Sequence, residues 1–138
     1  MNNKVVARFV DGRTIKGFTS DFTPGKERFH ILAPEAAAGT RPVEVKTTDL
    51  KAVFFVKEFE GDPEHKESNA FSPARPPAGR KIRVVFKDGE ALVGTTQGYQ
   101  SGRPGFFLIP ADADSNIVRC YVVAAATREV GFIEATQA

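Results

Sequence analysis

The chain has 138 residues, 41% hydrophobic and 26% charged, with twelve Phe, two Tyr and no Trp, the make-up of an ordinary globular protein whose interior rests on phenylalanine. Its net charge of +2 is spread as ten basic and seven acidic side chains over residues 1–58, two and four over 59–79, and seven and six over 80–138. That leaves out the strongly basic face of a protein that holds nucleic acid mainly through phosphates.

Lys4–Val10 alternates, with Val5, Ala7 and Phe9 on one side and Val6, Arg8 and Val10 on the other, which is the period of a strand. Asp11-Gly12 is a hairpin signal, and Arg13–Thr19 is the returning strand with Gly17 inside it, where a glycine marks a bend. Pro24-Gly25 marks a turn. Arg28–Ala33, Val43–Thr47 and Lys51–Val56 complete five short strands. The segment 59–79 is first charged and then rich in proline, a spacer between two units at 1–58 and 80–134, with a tail at 135–138.

Lys81 to Ile133 then repeats Lys4 to Val56 at a distance of 77 positions. Asp88-Gly89 matches Asp11-Gly12, Gly94 matches Gly17, Gly102 matches Gly25, and Phe86, Phe106 and Phe132 match Phe9, Phe29 and Phe55. The matched types are turn glycines and core aromatics, which a backbone needs, rather than groups a reaction needs. The second copy is apolar on both strand faces, with Val85, Val93, Phe107, Ile109 and Val122 on the nominally outer one, so its strands require cover on both sides. The expectation is an all-β protein: a tandem repeat of two small five-stranded SH3-like barrels packed together.

Catalytic, cofactor and metal motifs are missing from this pattern. His30 takes the place of Phe107 in the other copy and reads as a packed or edge residue. Cys120 reads as a small buried hydrophobe, and it forbids an internal disulfide, which fits a reducing cytoplasm. Asp112, Asp114 and Asn116 lack the glycine and distal glutamate of a calcium loop and read as turn residues. No signal-peptide core follows the opening Met-Asn-Asn-Lys, and no apolar run nears the roughly 20 residues that span a bilayer. Two surfaces invite a partner. One is a basic rim of Arg8, Arg13, Lys16, Lys26 and Arg28 with Phe22 and Phe29 near it, suited to an anion or nucleic acid. The other is a set of loops in the second copy carrying Tyr99, Arg103, Asp112, Asp114, Asn116 and Arg119, since loops on a rigid scaffold carry binding.

The run Val-Ala-Arg-Phe-Val-Asp-Gly-Arg-Thr-Ile-Lys-Gly-Phe, followed by Phe-His-Ile-Leu and a closing valine strand, resembles the Sm-like fold, and the likeness covers both copies. It implies strands in the same order and, where the family binds RNA, contacts before strand three and between strands four and five. Here those places read Asp21 to Arg28 and Thr47-Thr48-Asp49, or Ser101 to Gly105 and Ala124-Ala125-Ala126, and they depart from the family's pattern. The run Gly-Phe-Phe-Leu-Ile-Pro-Ala-Asp-Ala-Asp-Ser-Asn with Arg119 is similar to an uncharacterised bacterial domain found in signalling proteins, sometimes beside receiver or PilZ domains. The cyclic-dinucleotide signature of PilZ is not met: Arg75 and Arg80 stand five apart and Ile117 follows Asn116. The function expected is a non-enzymatic, cytoplasmic binding or adaptor module whose partner is another protein, with nucleic acid or a nucleotide second and a membrane excluded.

Overall fold

A computed structural model describes residues 3–35, 39–60, 79–100, 102–112 and 115–133. Most of the expected spacer (61–78), Asp114 and the tail lie outside the described residues. The first copy supplies β1 (Asn3–Phe9), β2 (Thr14–Thr19), β3 (Arg28–Ile31), β4 (Val43–Lys46) and β5 (Leu50–Val56). The second supplies β6 (Arg80–Phe86), β7 (Ala91–Thr96), β8 (Gly105–Pro110), β9 (Ile117–Val123) and β10 (Thr127–Phe132). Among the described residues the only helical turns are two 3₁₀ turns, Thr47–Asp49 and Ala124–Ala126, each leading into a fifth strand.

Strand pairing repeats at the distance at which the sequence repeats. Asn3 faces Thr19 and Arg80 faces Thr96; Val5 faces Phe55 and Ile82 faces Phe132. Phe29 faces Val45 just as Phe106 faces Val122, and Phe18 meets Leu32 just as Thr95 meets Ile109. The hairpin turns also agree. Gly12 and Gly89 both have φ near +95° and donate N–H to Phe9 and Phe86 carbonyls at 3.0 and 2.9 Å. Only the glycine is left-handed, so this is a three-residue loop rather than the two-residue turn that Asp-Gly suggests by itself. The aspartate accepts backbone N–H bonds instead, Asp11 from Arg13 at 3.0 Å and Asp88 from Glu90 at 2.9 Å.

The all-β class holds, but the strands do not form two closed barrels. One antiparallel sheet runs β10-β6-β7-β8-β9-β5-β1-β2, beside a β3-β4 ladder. The reason is β5 against β9, where Ala52, Val53 and Phe54 face Val122, Tyr121 and Cys120. Each of these strands would leave an unpaired row of peptide groups, and they satisfy each other. Phe18 and Leu32 exchange backbone hydrogen bonds at 2.8 and 2.9 Å, which links β2 to β3 and makes all ten strands one ribbon ending in β10 and β4.

The apolar second face of the sequence finds its cover here. Val53, Phe55, Tyr121 and Val123 point into a core with Val5, Ala7, Phe9, Phe29, Ile31, Val45 and Leu50. Their neighbours Ala52, Phe54, Cys120 and Val122 point the other way, into a core with Ile82, Val84, Phe86, Phe106 and Leu108. Each large apolar side chain fully withdrawn from water contributes about 1.5–3 kcal/mol. The two cores therefore share β5 and β9. Tyr121 reinforces the seam: its buried ring lies 5.2 Å from Phe22 and 5.3 Å from Phe107.

Candidate functional site

Alternation along β1 turns Val5, Ala7 and Phe9 into the first core, so Val6 and Arg8 face outward on the opposite side. That side of β1 and β5 meets β7 and the start of β9, and between them lies a groove of about 600 Å³. Its floor is apolar: Val6, Phe54, Val56, Leu92 and Ile117, continuous with the second core. Arg8, Thr14 and Lys16 form one wall, and Phe59, Glu60, Glu90 and Asn116 lie around the rest.

Arg8, Glu90 and Lys16 on this groove are each paired or bonded. The Arg8 guanidinium lies 3.8 Å from Glu90 Oε1 and 5.5 Å from the centre of the Phe54 ring. Lys16 Nζ donates to the Phe59 carbonyl at 3.1 Å. Asn116 fixes one end, its Oδ1 accepting the Glu58 N–H at 2.9 Å and its Nδ2 donating to the Glu58 carbonyl at 2.8 Å. This side chain, expected to meet a partner, thus clamps the exit of β5 to the entrance of β9.

The basic rim does not gather on one face. Arg8 and Lys16 share the groove, but Arg13 is held by Asp11 at 2.8 Å above the Phe9 ring. Lys26 and Arg28 belong to a separate cluster with Asp21, His30 and Glu44. Asp21 Oδ2 lies 2.7 Å from His30 Nδ1, and Asp21 Oδ1 accepts the His30 backbone N–H at 2.9 Å, so the pair braces the loop after β2 against β3. His30 Nε2 faces Glu44 at 3.8 Å, and neither ring nitrogen is aimed at a hydroxyl or thiol.

The loop residues are likewise dispersed. Tyr99 packs edge-on to Phe106 at 4.8 Å and Phe132 at 5.7 Å. Arg103 donates to Gln100 Oε1 at 2.9 Å, and Asp112 lines a cavity of about 210 Å³ with Lys57, Pro110 and Val118. The exposed Arg119 spreads over Phe55 and Phe107 at 4.5 and 4.4 Å, a cation on the aromatic seam. Cys120 is wholly buried, and burial pushes its thiol far above the range in which a thiolate forms. Among the described residues no group of three or more His, Cys, Asp or Glu side chains is placed to hold a metal, and no helix is long and apolar enough to cross a membrane.

Two contributors escaped the sequence reading. Phe59 stands in what reads as spacer, yet it packs edge-on to Phe18 at 5.3 Å and under Lys4 at 5.8 Å. Lys51 is 7% exposed inside an apolar strand, with Nζ 2.8 Å from Asp88 and bonded to Glu90. The signal for Lys51 was a lone cation in Leu-Lys-Ala-Val-Phe-Phe-Val, which needs an anion if the strand is covered on both sides.

Three aspartates titrate below the ordinary carboxylate value of 3.8. A backbone N–H and the side chain of Arg13 lower Asp11 against a little burial. Burial raises Asp21, but the hydrogen bonds from His30 and Thr19 outweigh it, and Lys51 and the Glu90 N–H lower Asp88. Folded values below the unfolded ones mean stability that is present above about pH 4 and lost as pH falls through the folded values. The urea midpoint is therefore expected to stay flat from neutrality down to about pH 5 and to fall below it. Asp21→Asn is expected to make that fall shallower; an acid limb unchanged by it would remove Asp21 from the account.

Residues 1–134 match the model of a family of unknown function, DUF6982, and the chain belongs to that family. No curated protein and no solved structure matches the chain.

Proposed function

We propose that the protein is a non-enzymatic binding module, built from two copies of an open Sm-like or SH3-like unit, whose groove between the copies receives an apolar side chain of a protein partner. The observation that carries this is the composition of the groove: an apolar floor with Arg8 paired to Glu90, Lys16 bonded to the Phe59 carbonyl and Glu60 at the margin. A phosphate backbone needs several cations on one track. Here Arg13, Lys26 and Arg28 each stand within 4 Å of a carboxylate of their own, away from the groove. A peptide needs an apolar pocket with a few polar anchors at its margin, and that is what these walls supply. An adaptor in a bacterial signalling or regulatory setting, working in the cytoplasm, is the role that agrees with this site and with the sequence resemblances.

The test is selection of peptides from a random library on the intact protein, with RNA, DNA and cyclic dinucleotides titrated in parallel at rising salt. A selected peptide with a bulky apolar anchor is expected to bind with little salt dependence. Leu92→Glu, which charges the floor, should weaken it at least about tenfold, the cost of placing a charge against an apolar anchor. Arg13→Glu with Lys26→Glu, both away from the groove, should leave a floor-anchored peptide within a few-fold. Nucleic-acid binding that falls steeply with salt and is abolished by that double change would reverse the order of the two readings.

A further inference from the structure

The two copies meet in a defined way: the fifth strand of the first, β5, pairs with the fourth strand of the second, β9. Since the copies superpose in register, each such contact has a counterpart that the chain leaves unmade. The fourth strand of the first copy, β4, pairs only with β3, and the fifth strand of the second, β10, pairs only with β6, among the described residues. These are the two ends of the ten-strand ribbon. We infer that β10 of one chain pairs antiparallel with β4 of a second copy of the same chain, repeating between molecules the β5–β9 contact made within one.

The register follows from the repeat. Ala52 opposite Val122, Val53 opposite Tyr121 and Phe54 opposite Cys120 become Glu129 opposite Val45, Val130 opposite Glu44 and Gly131 opposite Val43. Part of the exposed apolar surface sits on these two edges. Four large hydrophobic side chains are exposed among the described residues, and two of them, Val43 at 49% and Phe132 at 37%, lie on these two strands. Gly131 has open space where a Cβ would stand, so its strand can be approached closely. The charges are mixed. Lys51 reaches Asp88 inside the chain, and its counterpart Arg128 would reach Asp11 of the neighbour, with Glu44 on the diagonal and Lys46 directly opposite. A strand edge with unpaired N–H and C=O groups, exposed apolar side chains and a second open edge on the same molecule is a template for its own kind. The contact is head-to-tail, using different surfaces on each partner, so it propagates into a closed ring or an open filament rather than stopping at a two-fold dimer.

Sedimentation velocity and native mass spectrometry on the full chain test this over a wide range of concentration. Species larger than a two-fold dimer are expected, growing with concentration. Val43→Asp alone blocks β4 and Gly131→Asp alone blocks β10; both changes are at exposed positions, and circular dichroism checks that each variant keeps the wild-type strand signal. Each variant alone is expected to run as a monomer, and an equimolar mixture as a dimer, because one intact junction remains between them. A wild-type chain that stays monomeric at every concentration overturns the inference. So do single variants that still assemble, which would mean like edges pairing with like or another surface, and so does a mixture that stays monomeric.

Discussion

Gly94→Ala is expected to cost the fold about 3 kcal/mol, the upper part of the range for forcing atoms into a packed site, and to lower Tm by about 10 °C. A Cβ at Gly94 would stand 2.1 Å from the Ile109 carbonyl oxygen and 2.8 Å from its carbon. That oxygen belongs to the ladder of β7 with β8 and cannot swing aside as a side-chain tip would. Gly17 is its equivalent, with a Cβ 2.3 Å from the Leu32 oxygen, so Gly17→Ala should cost about as much. Gly131→Ala is the control, since nothing lies within 4 Å there, and its effect should stay within about 0.5 kcal/mol. Thermal melts of the three variants decide the matter. An unchanged Tm for Gly94→Ala would mean that β7 and β8 are not held this close.

The second large effect is an asymmetry around Lys51. Its side chain is 9% exposed and 4.7 Å above the Phe86 ring, whereas Asp88 and Glu90 remain 56% and 42% exposed. Removing the acid charges with Asp88→Asn and Glu90→Gln strands an ammonium in a mostly buried place, expected to cost about 3 kcal/mol. Removing the cation with Lys51→Met leaves two carboxylates that water already reaches, and replaces the stem with apolar packing. That change should cost only about 1 kcal/mol. Urea unfolding at neutral pH measures both. Equal costs, or the reverse order, would show that Lys51 escapes to solvent when its partners lose their charge.

Much of the fold was legible because its signals are local. Period-two alternation located ten strands to within a few residues, and paired glycines marked the turns. The closed barrels were not legible, because whether β5 closes on its own copy or crosses to β9 depends on partners far apart in the chain. The two-sided apolar pattern of the second copy, Phe107 and Val122 within it, stated only that cover was needed, not which edge supplied it. The site was harder still. Arg8 and Lys16 read as members of a five-residue rim, yet Arg13, Lys26 and Arg28 turn to carboxylates that are near in space and not marked as partners in the sequence. Asn116 carried the polar chemistry of a contact residue, but its amide is consumed in holding Glu58.

Leu50–Val56 lies between two chambers, and that limits how this gene can drift. A surface strand tolerates exchange at every second position, but here Val53 answers to one interior and Phe54 to the other, so no position along the segment is idle. With a neighbour seated against it, neither half is free to lose the other. A substitution accepted on one side must also be compatible with the strand's service to its twin.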